Sequence, residues 1–165
     1  MDESKNPQGA GPASIHDEQV VVLQLGGESY GVDIARVQEI KVMSPITGVP
    51  GAPPFIEGII NLRGKITPIV NMHTRFGRPK APYTKDTRIV VVDMQGTWVG
   101  LIVDSVSEVM RVHGNSVEAP PELVCTVDAA FVRGIAKVSE EKLVILLDLD
   151  KMLAATRDLA LGLAA

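Results

Sequence analysis

Side chains able to carry acid–base or metal chemistry are few in this chain and widely spaced. The histidines are His16, His73 and His113, and none has a second His or Cys at the short spacing that metal sites use. Cys125 is the single cysteine and has no histidine nearby, which favours a structural thiol over a nucleophile. The sequence therefore predicts no metal site and no thiol catalysis, and a lone cysteine cannot form a disulfide framework.

Two other segments resemble catalytic motifs only superficially. The segment from Gly58 to Lys65 is similar to a phosphate-binding loop, but its glycines are one residue too far apart. Ile66 also stands where Ser or Thr would reach Mg²⁺. Asp148 and Asp150 could pair as carboxylates, yet an aspartate between a strand and a helix usually caps the helix. We therefore expect no catalytic residues, no cofactor and no enzyme activity.

The composition is typical of a folded β protein. The chain has 165 residues, a formal net charge of −4 and 45% hydrophobic residues. Aromatic residues make up only 4%, whereas Val and Ile, which favour strands, are abundant. Mild acidity and scarce aromatic rings argue against nucleic acid, whose binding uses a basic face and stacking rings. No apolar run approaches the ~20 residues of a membrane span, so we expect a cytoplasmic protein without membrane insertion.

Short apolar runs separated by Gly and Pro predict ten strands between two terminal segments. Residues 1–17 are rich in Gly, Pro and charge and are predicted to form a disordered arm. The chain from Lys151 to Leu163 is rich in Ala and Leu and is predicted to be helical, so that residues 155–165 form a helical tail. The predicted strands are Val20–Leu25, Tyr30–Ile34, Gln38–Met43, Ile56–Asn61, Ile66–Asn71, Arg88–Met94, Trp98–Val103, Ser107–Val112, Val132–Lys137 and Leu143–Asp148.

The ten predicted strands form an internal repeat. The matched positions include turn glycines and acidic residues as well as core valines, which makes chance similarity a poor explanation. Each copy has about the size of a small five-stranded SH3-like barrel, so we predict an all-β fold with short helices and two pseudo-twofold-related barrels, covering about 18–85 and 86–154. The sequence leaves open whether the barrels exchange strands. The matched positions are Gly27 with Gly96, Gly31 with Gly100, Val37 with Val106, Glu39 with Glu108, Phe55–Ile59 with Phe131–Ile135, Lys65 with Lys142 and Asn71 with Asp148.

The two copies differ most at the turn between their fourth and fifth strands. The first copy has Asn61-Leu62-Arg63-Gly64-Lys65, whereas the second has a longer, acidic turn from Lys137 to Lys142. Gly64 supplies the backbone conformation of a tight turn, which would project Arg63 outward. An arginine on a rigid turn suits forked recognition of a carboxylate or of backbone carbonyls on a partner. The alternative is an ordinary solvated hairpin residue.

Two further stretches are distinctive. Ile34, Val37 and Ile40 recur at a spacing of three around Glu39, as in a short helical turn that enters a strand. An ordinary core face with one exposed glutamate is the alternative. The stretch from Glu118 to Leu123 contains two prolines, which make a stiff connection, and Leu123 is either a partner anchor or a core residue.

These stretches resemble the CheW family of bacterial chemotaxis coupling proteins. The resemblance is carried by Tyr30 to Ile40 (YGVDIARVQEI) and Phe55 to Asn71 (FIEGIINLRGKITPIVN). It continues through Val99 to Val109 and Val144 to Leu153, so that it spans Gln19 to Leu153. It implies two SH3-like barrels within a CheW-like domain at residues 18–154. It also implies an adaptor that couples the cytoplasmic tip of chemoreceptors to a histidine kinase and helps to build receptor–kinase arrays.

The resemblance also assigns residues by position. Val37, Glu39, Gly58 and Arg63 are expected on or near a receptor-binding groove between the barrels. Glu122 and Leu123 match a stretch that contacts the regulatory domain of the kinase, although the family often has an aromatic residue at the position of Leu123 and a basic residue can replace Glu118.

Two other functions remain open at this point. One is a non-catalytic regulatory or scaffold module of another two-component pathway, and the other is a small-ligand-binding double barrel. The second belongs to a class of double barrels that would need a basic stripe or stacking rings.

Overall fold

The computed structural model describes residues 17–119, 131–154 and 156. Eleven strands lie within that part of the chain, with a four-residue helix, two short 3-10 turns (Ile34–Arg36 and Gly114–Ser116) and a second helix. Strands and helices run in the order β1 Glu18–Leu25, β2 Glu28–Asp33, β3 Val37–Val42, β4 Ile56–Leu62, β5 Lys65–Asn71, α1 Met72–Arg75, β6 Arg88–Met94, β7 Thr97–Val103, β8 Ser105–Val112, β9 Val117–Glu118, β10 Val132–Lys137, β11 Leu143–Leu147 and α2, which includes residues 149–154 and 156.

The predicted all-β fold is confirmed, and each of the ten predicted strands corresponds to a strand of the structure. The predicted turn also exists, because a 3-10 turn at Ile34–Arg36 leads directly into β3. Asp148 caps α2 as expected, since its Oδ1 accepts from the backbone N–H of Lys151 at 3.1 Å. Three elements of the described residues were not predicted: α1, the 3-10 turn at Gly114–Ser116 and the two-residue strand β9.

The strands form two sheets, and the two halves of the chain exchange hairpins between them. Sheet A has the order β8-β1-β2-β11-β10-β9, and sheet B has the order β3-β6-β7-β5-β4. By the internal repeat, β1 to β5 correspond to β6, β7, β8, β10 and β11. Each sheet therefore has the same order of repeat strands, but its first hairpin comes from the opposite half of the chain. This answers the question that the sequence left open, and the predicted boundary at residues 85 and 86 does not separate the two sheets.

Each sheet curls around an interior of its own. In sheet A, β8 and β10 stand four places apart, yet Val112 and Ala136 share one buried cluster with Val20, Val22 and Leu146. Sheet B encloses a matching cluster built from β4, β5, β6 and β7. Strands from opposite parts of a flat sheet could not meet in this way, so the clusters show the curvature of small barrels.

A third and larger cluster joins the two sheets. Along β1, Val20 and Val22 belong to the interior of sheet A, whereas Val21 and Leu23 belong to the shared cluster. Both faces of this strand are therefore buried, which explains why its apolar run is continuous and not alternating. The same alternation of clusters occurs along β6, the repeat counterpart of β1.

Candidate functional site

The turn between β4 and β5 places Arg63 at the edge of sheet B. Leu62 pairs with Lys65, so Arg63 and Gly64 form a two-residue turn with positive φ angles of 54° and 85°. These angles define a type I′ turn, the kind that matches the twist of a hairpin. Asn61 fixes the turn, because its Oδ1 accepts from the N–H of Gly64 at 3.0 Å. The side chain of Arg63 is 70% exposed, as the sequence predicted.

Arg63 forms an ion pair with Glu39 on β3. Its Nη2 lies 3.0 Å from Oε1 of Glu39, a contact that joins the two edges of the curled sheet. The Glu39 side chain is 23% exposed, and its second oxygen, Oε2, is buried without a hydrogen-bond partner. The structure thus brings together two of the predicted site residues, which lie far apart in sequence.

Val37 and its neighbours on β3 form the apolar part of the site. Val37 lies opposite Val92 and packs, partly buried, against the cluster shared by the two sheets. A bulge follows it, because the register shifts between Val37 and Glu39. Ile34 and Ile40 are exposed, so the alternative of an ordinary core face for this stretch does not hold. After the bulge, Glu39 lies on the partly buried face of β3, whereas Ile40 and Val42 lie on the exposed face.

Gly58 is the buried position at which another segment of the chain approaches β4 closely. It is buried in β4 beneath the chain at residues 46–47, where Thr47 and Ile59 exchange backbone hydrogen bonds of 3.0 and 2.8 Å. A Cβ at Gly58, whose φ is 154°, would lie 2.1 Å from the carbonyl oxygen of Thr47. Glycine is therefore required for this crossing, and the residue shapes the surface without being exposed on it.

Glu57, beside Gly58, is held by donors of the same chain. Its carboxylate accepts from Asn71 Nδ2 at 3.2 Å, Lys80 Nζ at 2.9 Å and the Tyr83 hydroxyl at 3.2 Å. Burial alone would raise the pKa of Glu57, but the hydrogen bonds from Lys80 and Asn71 hold it below its ordinary value. Glu57 is thus an ionised structural anchor and not a general acid.

Three further features of this surface escaped the sequence analysis. Ile66 is exposed on β5, next to the turn, and Val42 is exposed at the end of β3. The ammonium group of Lys65 lies 4.3 Å from the centroid of the Trp98 ring, a cation–π contact between the adjacent strands β5 and β7 of sheet B. Val42 could have been found from strand alternation, because β3 alternates between partly buried and exposed residues. Alternation does not reveal Ile66, because β5 is continuously buried from Thr67 to Asn71. The contact between Lys65 and Trp98 has no sequence signal.

An open groove of about 470 Å³ lies beside the turn. Ile59 and Ile66 contribute apolar surface, and Lys41 and Asn61 contribute polar groups. Within residues 17–119, 131–154 and 156, no group of three or more His, Cys, Asp or Glu side chains could hold a metal ion. Over the same residues, no helix has the length and apolar character needed to cross a membrane.

The predicted kinase-contact residues, Glu122 and Leu123, lie outside the described part of the chain, as does Cys125. Of the predicted terminal segments, only Asp17 and Thr156 fall within it.

Fold and surface together define a class of protein: a double-barrel module that presents a charged turn and exposed aliphatic side chains for contact. The family model described as the CheW-like domain matches residues 19–157, and the chain belongs to that family. It is a family of chemotaxis scaffold proteins.

Individual relatives cover most of the chain. The chemotaxis protein CheW of Klebsiella aerogenes is 32% identical over 138 residues, which are 84% of this chain and 82% of that protein. The chemotaxis protein CheW of Treponema pallidum is 32% identical over 150 residues, 87% of this chain and 88% of its own length. The crystal structure of the scaffolding protein TtCheW from Thermoanaerobacter tengcongensis aligns with a TM-score of 0.76 and 43% identity, covering 88% of this chain and 94% of that one.

Proposed function

We propose that this protein is a non-catalytic cytoplasmic adaptor that couples the tip of chemoreceptors to the regulatory domain of a histidine kinase. Membership of the CheW-like family supports the class of function. The observation that carries the specific proposal is the presentation of Arg63 on a two-residue turn, where its side chain is 70% exposed.

The receptor is proposed to bind at Val37, Glu39 and Arg63. Receptor tips of this kind are helical hairpins, and a helix docks through apolar side chains placed at helical spacing. Val37 lies on the partly buried face of β3, and the exposed Ile40 on the other face supplies apolar surface for such side chains. The forked guanidinium of Arg63 would contribute to both the orientation and the affinity of the bound receptor. Gly58 contributes by allowing residues 46–47 to cross β4.

The kinase is proposed to bind through Glu122 and Leu123. With separate sites for two partners, one adaptor can join a receptor to a kinase, and many such weak contacts build an array through multivalency. In this proposal the protein carries no membrane insertion of its own and is recruited to receptor arrays.

The proposal is tested by removing each of the two cations that pair with the repeat-equivalent glutamates. Arg63→Ala and Lys142→Ala delete the partners of Glu39 and of its repeat counterpart Glu108, respectively. Alanine is preferable to a charge reversal, because a carboxylate at position 63 would face Glu39. We expect Arg63→Ala to weaken binding of a receptor-tip fragment by about tenfold or more, or ~1.4 kcal/mol, and Lys142→Ala to change it less than about twofold.

Isothermal titration calorimetry gives both affinities, and thermal unfolding gives the control. Lys142→Ala should unfold within about 3 °C of the wild type, because its ion pair is exposed. Arg63→Ala should remain folded but lose about 3–6 °C, because it leaves the largely buried Glu39 carboxylate without this partner. If Arg63→Ala binds the receptor fragment as the wild type does, the receptor site is wrongly placed. Co-sedimentation with the kinase regulatory domain tests the second contact, for which Glu122→Ala and Leu123→Ala should lower recovery.

A further inference from the structure

The exchange of hairpins gives each barrel an incomplete set of strands from its own half of the chain. Sheet A inserts β1 and β2 between β8 and β11, and sheet B inserts β6 and β7 between β3 and β5. In both sheets the inserted hairpin pairs in parallel with the fifth strand of the other half: Tyr30 and Gly31 pair with β11, and Gly100 to Ile102 pair with β5. Neither half of the chain can complete a barrel without the other.

The inserted hairpins are also buried on both faces. Val22 lies in the interior of sheet A and Val91 in the interior of sheet B, whereas Val21 and Val90 lie in the cluster between the sheets. Opening either barrel would therefore expose part of the interior that the other barrel needs. Apolar burial shared in this way favours all-or-none unfolding.

Side-chain contacts around α1 and α2 also join the two halves of the chain. Arg75 of α1 donates from Nε to the carbonyl of Met152 in α2 at 3.0 Å. Its guanidinium lies 4.7 Å from the centroid of the Phe55 ring and 4.5 Å from that of the repeat-equivalent Phe131. Arg36, before β3, contacts Asp150 of α2 at 3.0 Å. These contacts join α1 and Arg36, in the first half of the chain, to α2 and Phe131, in the second half.

From these observations we infer that the two barrels form one cooperative unit without a hinge, so that their outer surfaces keep a fixed spatial relation when a partner binds. The inference rests on topology and burial and goes beyond the proposed function, which would hold equally for two barrels joined by a hinge. The adaptor would then hold its partners at a fixed distance and orientation, and would not bend between the barrels.

Trp98, the single tryptophan, provides a local probe of sheet B. Leu146 is fully buried inside sheet A, and its repeat counterpart Ile69 is fully buried inside sheet B. We expect Leu146→Ala to lower the urea midpoint seen by Trp98 fluorescence by about 1–2 M. The expected effect of Ile69→Ala is the same. For both variants, far-UV circular dichroism should follow the same single transition as the fluorescence.

The inference is overturned if Leu146→Ala lowers the midpoint seen by circular dichroism while the Trp98 transition stays at the wild-type midpoint. That result would mean that sheet A unfolds while sheet B remains folded. If the alanine variants do not fold, Val22→Ala and Val91→Ala form a milder matched pair at repeat-equivalent positions, both fully buried. The same comparison of midpoints applies to them. Binding of receptor or kinase is not measured, so the outcome is independent of the proposed function.

Discussion

The two copies of the repeat carry the same ion pair on different turns. In the first copy Arg63 Nη2 lies 3.0 Å from Glu39, and in the second Lys142 Nζ lies 2.9 Å from Glu108. Both glutamates follow a bulge in the third strand of their copy. The scaffold therefore preserves a cation opposite this glutamate, and the pair alone cannot mark a binding site.

What differs is how the cation is presented. Arg63 stands within a two-residue turn and is 70% exposed, whereas Lys142 follows a longer turn and is 40% exposed. In the longer turn the Ser139 hydroxyl accepts from the backbone N–H groups of Glu141 and Lys142. The apolar neighbours do not distinguish the copies, because Ile40 and Val109 are exposed to similar extents. We therefore propose that the turn and its guanidinium, and not the ion pair, carry the specific role in receptor binding.

Of the changes considered, substitution of Gly58, where residues 46–47 pass close to β4, should lower the free energy of unfolding most. Gly58→Ala would place a Cβ 2.1 Å from the Thr47 carbonyl, at a φ of 154° that L residues rarely adopt. We expect a loss of about 3 kcal/mol in the free energy of unfolding, measured by urea denaturation. Gly64→Ala is the control, because its φ is also positive but nothing lies within 4 Å of the new Cβ. It should cost only about 1 kcal/mol. Equal losses would show that backbone strain alone, and not the crossing, requires Gly58.

The first hairpins of the copies differ in a buried tyrosine. Tyr30 is fully buried, whereas Val99 occupies the corresponding position in the second copy. Burial and the hydrogen bond to Glu28 raise the pKa of Tyr30 to about 12, from 10.0. The unfolded chain therefore loses this proton first, and stability that is complete below pH 10 falls as pH rises toward 12.

Between pH 10 and pH 12, the ionisation of Tyr30 should lower the free energy of unfolding by about 2–3 kcal/mol. Urea unfolding at several pH values between 9 and 12 measures it, and Tyr30→Phe should remove this part of the alkaline loss. A Tyr30→Phe variant that lost stability with the same slope would assign the effect to other groups.

Local patterns in the sequence specified the strands but not their partners. The Gly26-Gly27 and Gln95-Gly96 turns each separate two of the predicted strands, and in the structure each pair of strands forms a hairpin. The exchange of these hairpins was not predictable, because both halves offer nearly equivalent strands and periodicity does not say which edge each one joins. The strand β9 is only two residues long, too short to produce a pattern.

The candidate site was predictable to the same limited degree. Gly64 signalled the tight turn and the exposure of Arg63, both of which the structure contains. The contact of Arg63 with Glu39 depends on the curvature of sheet B, which no short motif encodes. The burial of Gly58 arises from a single backbone bridge between Thr47 and Ile59, and such a bridge has no sequence signature.

Hydrogen exchange of the intact protein, with and without a receptor-tip fragment, tests the central claim most directly. If the first-copy turn binds the receptor, amides in residues 37–42 and 61–65 should exchange more slowly in the complex. Amides in residues 138–142 of the second-copy turn should then exchange at the same rate as in the free protein. Protection of residues 138–142 with no change at residues 61–65 would contradict the account.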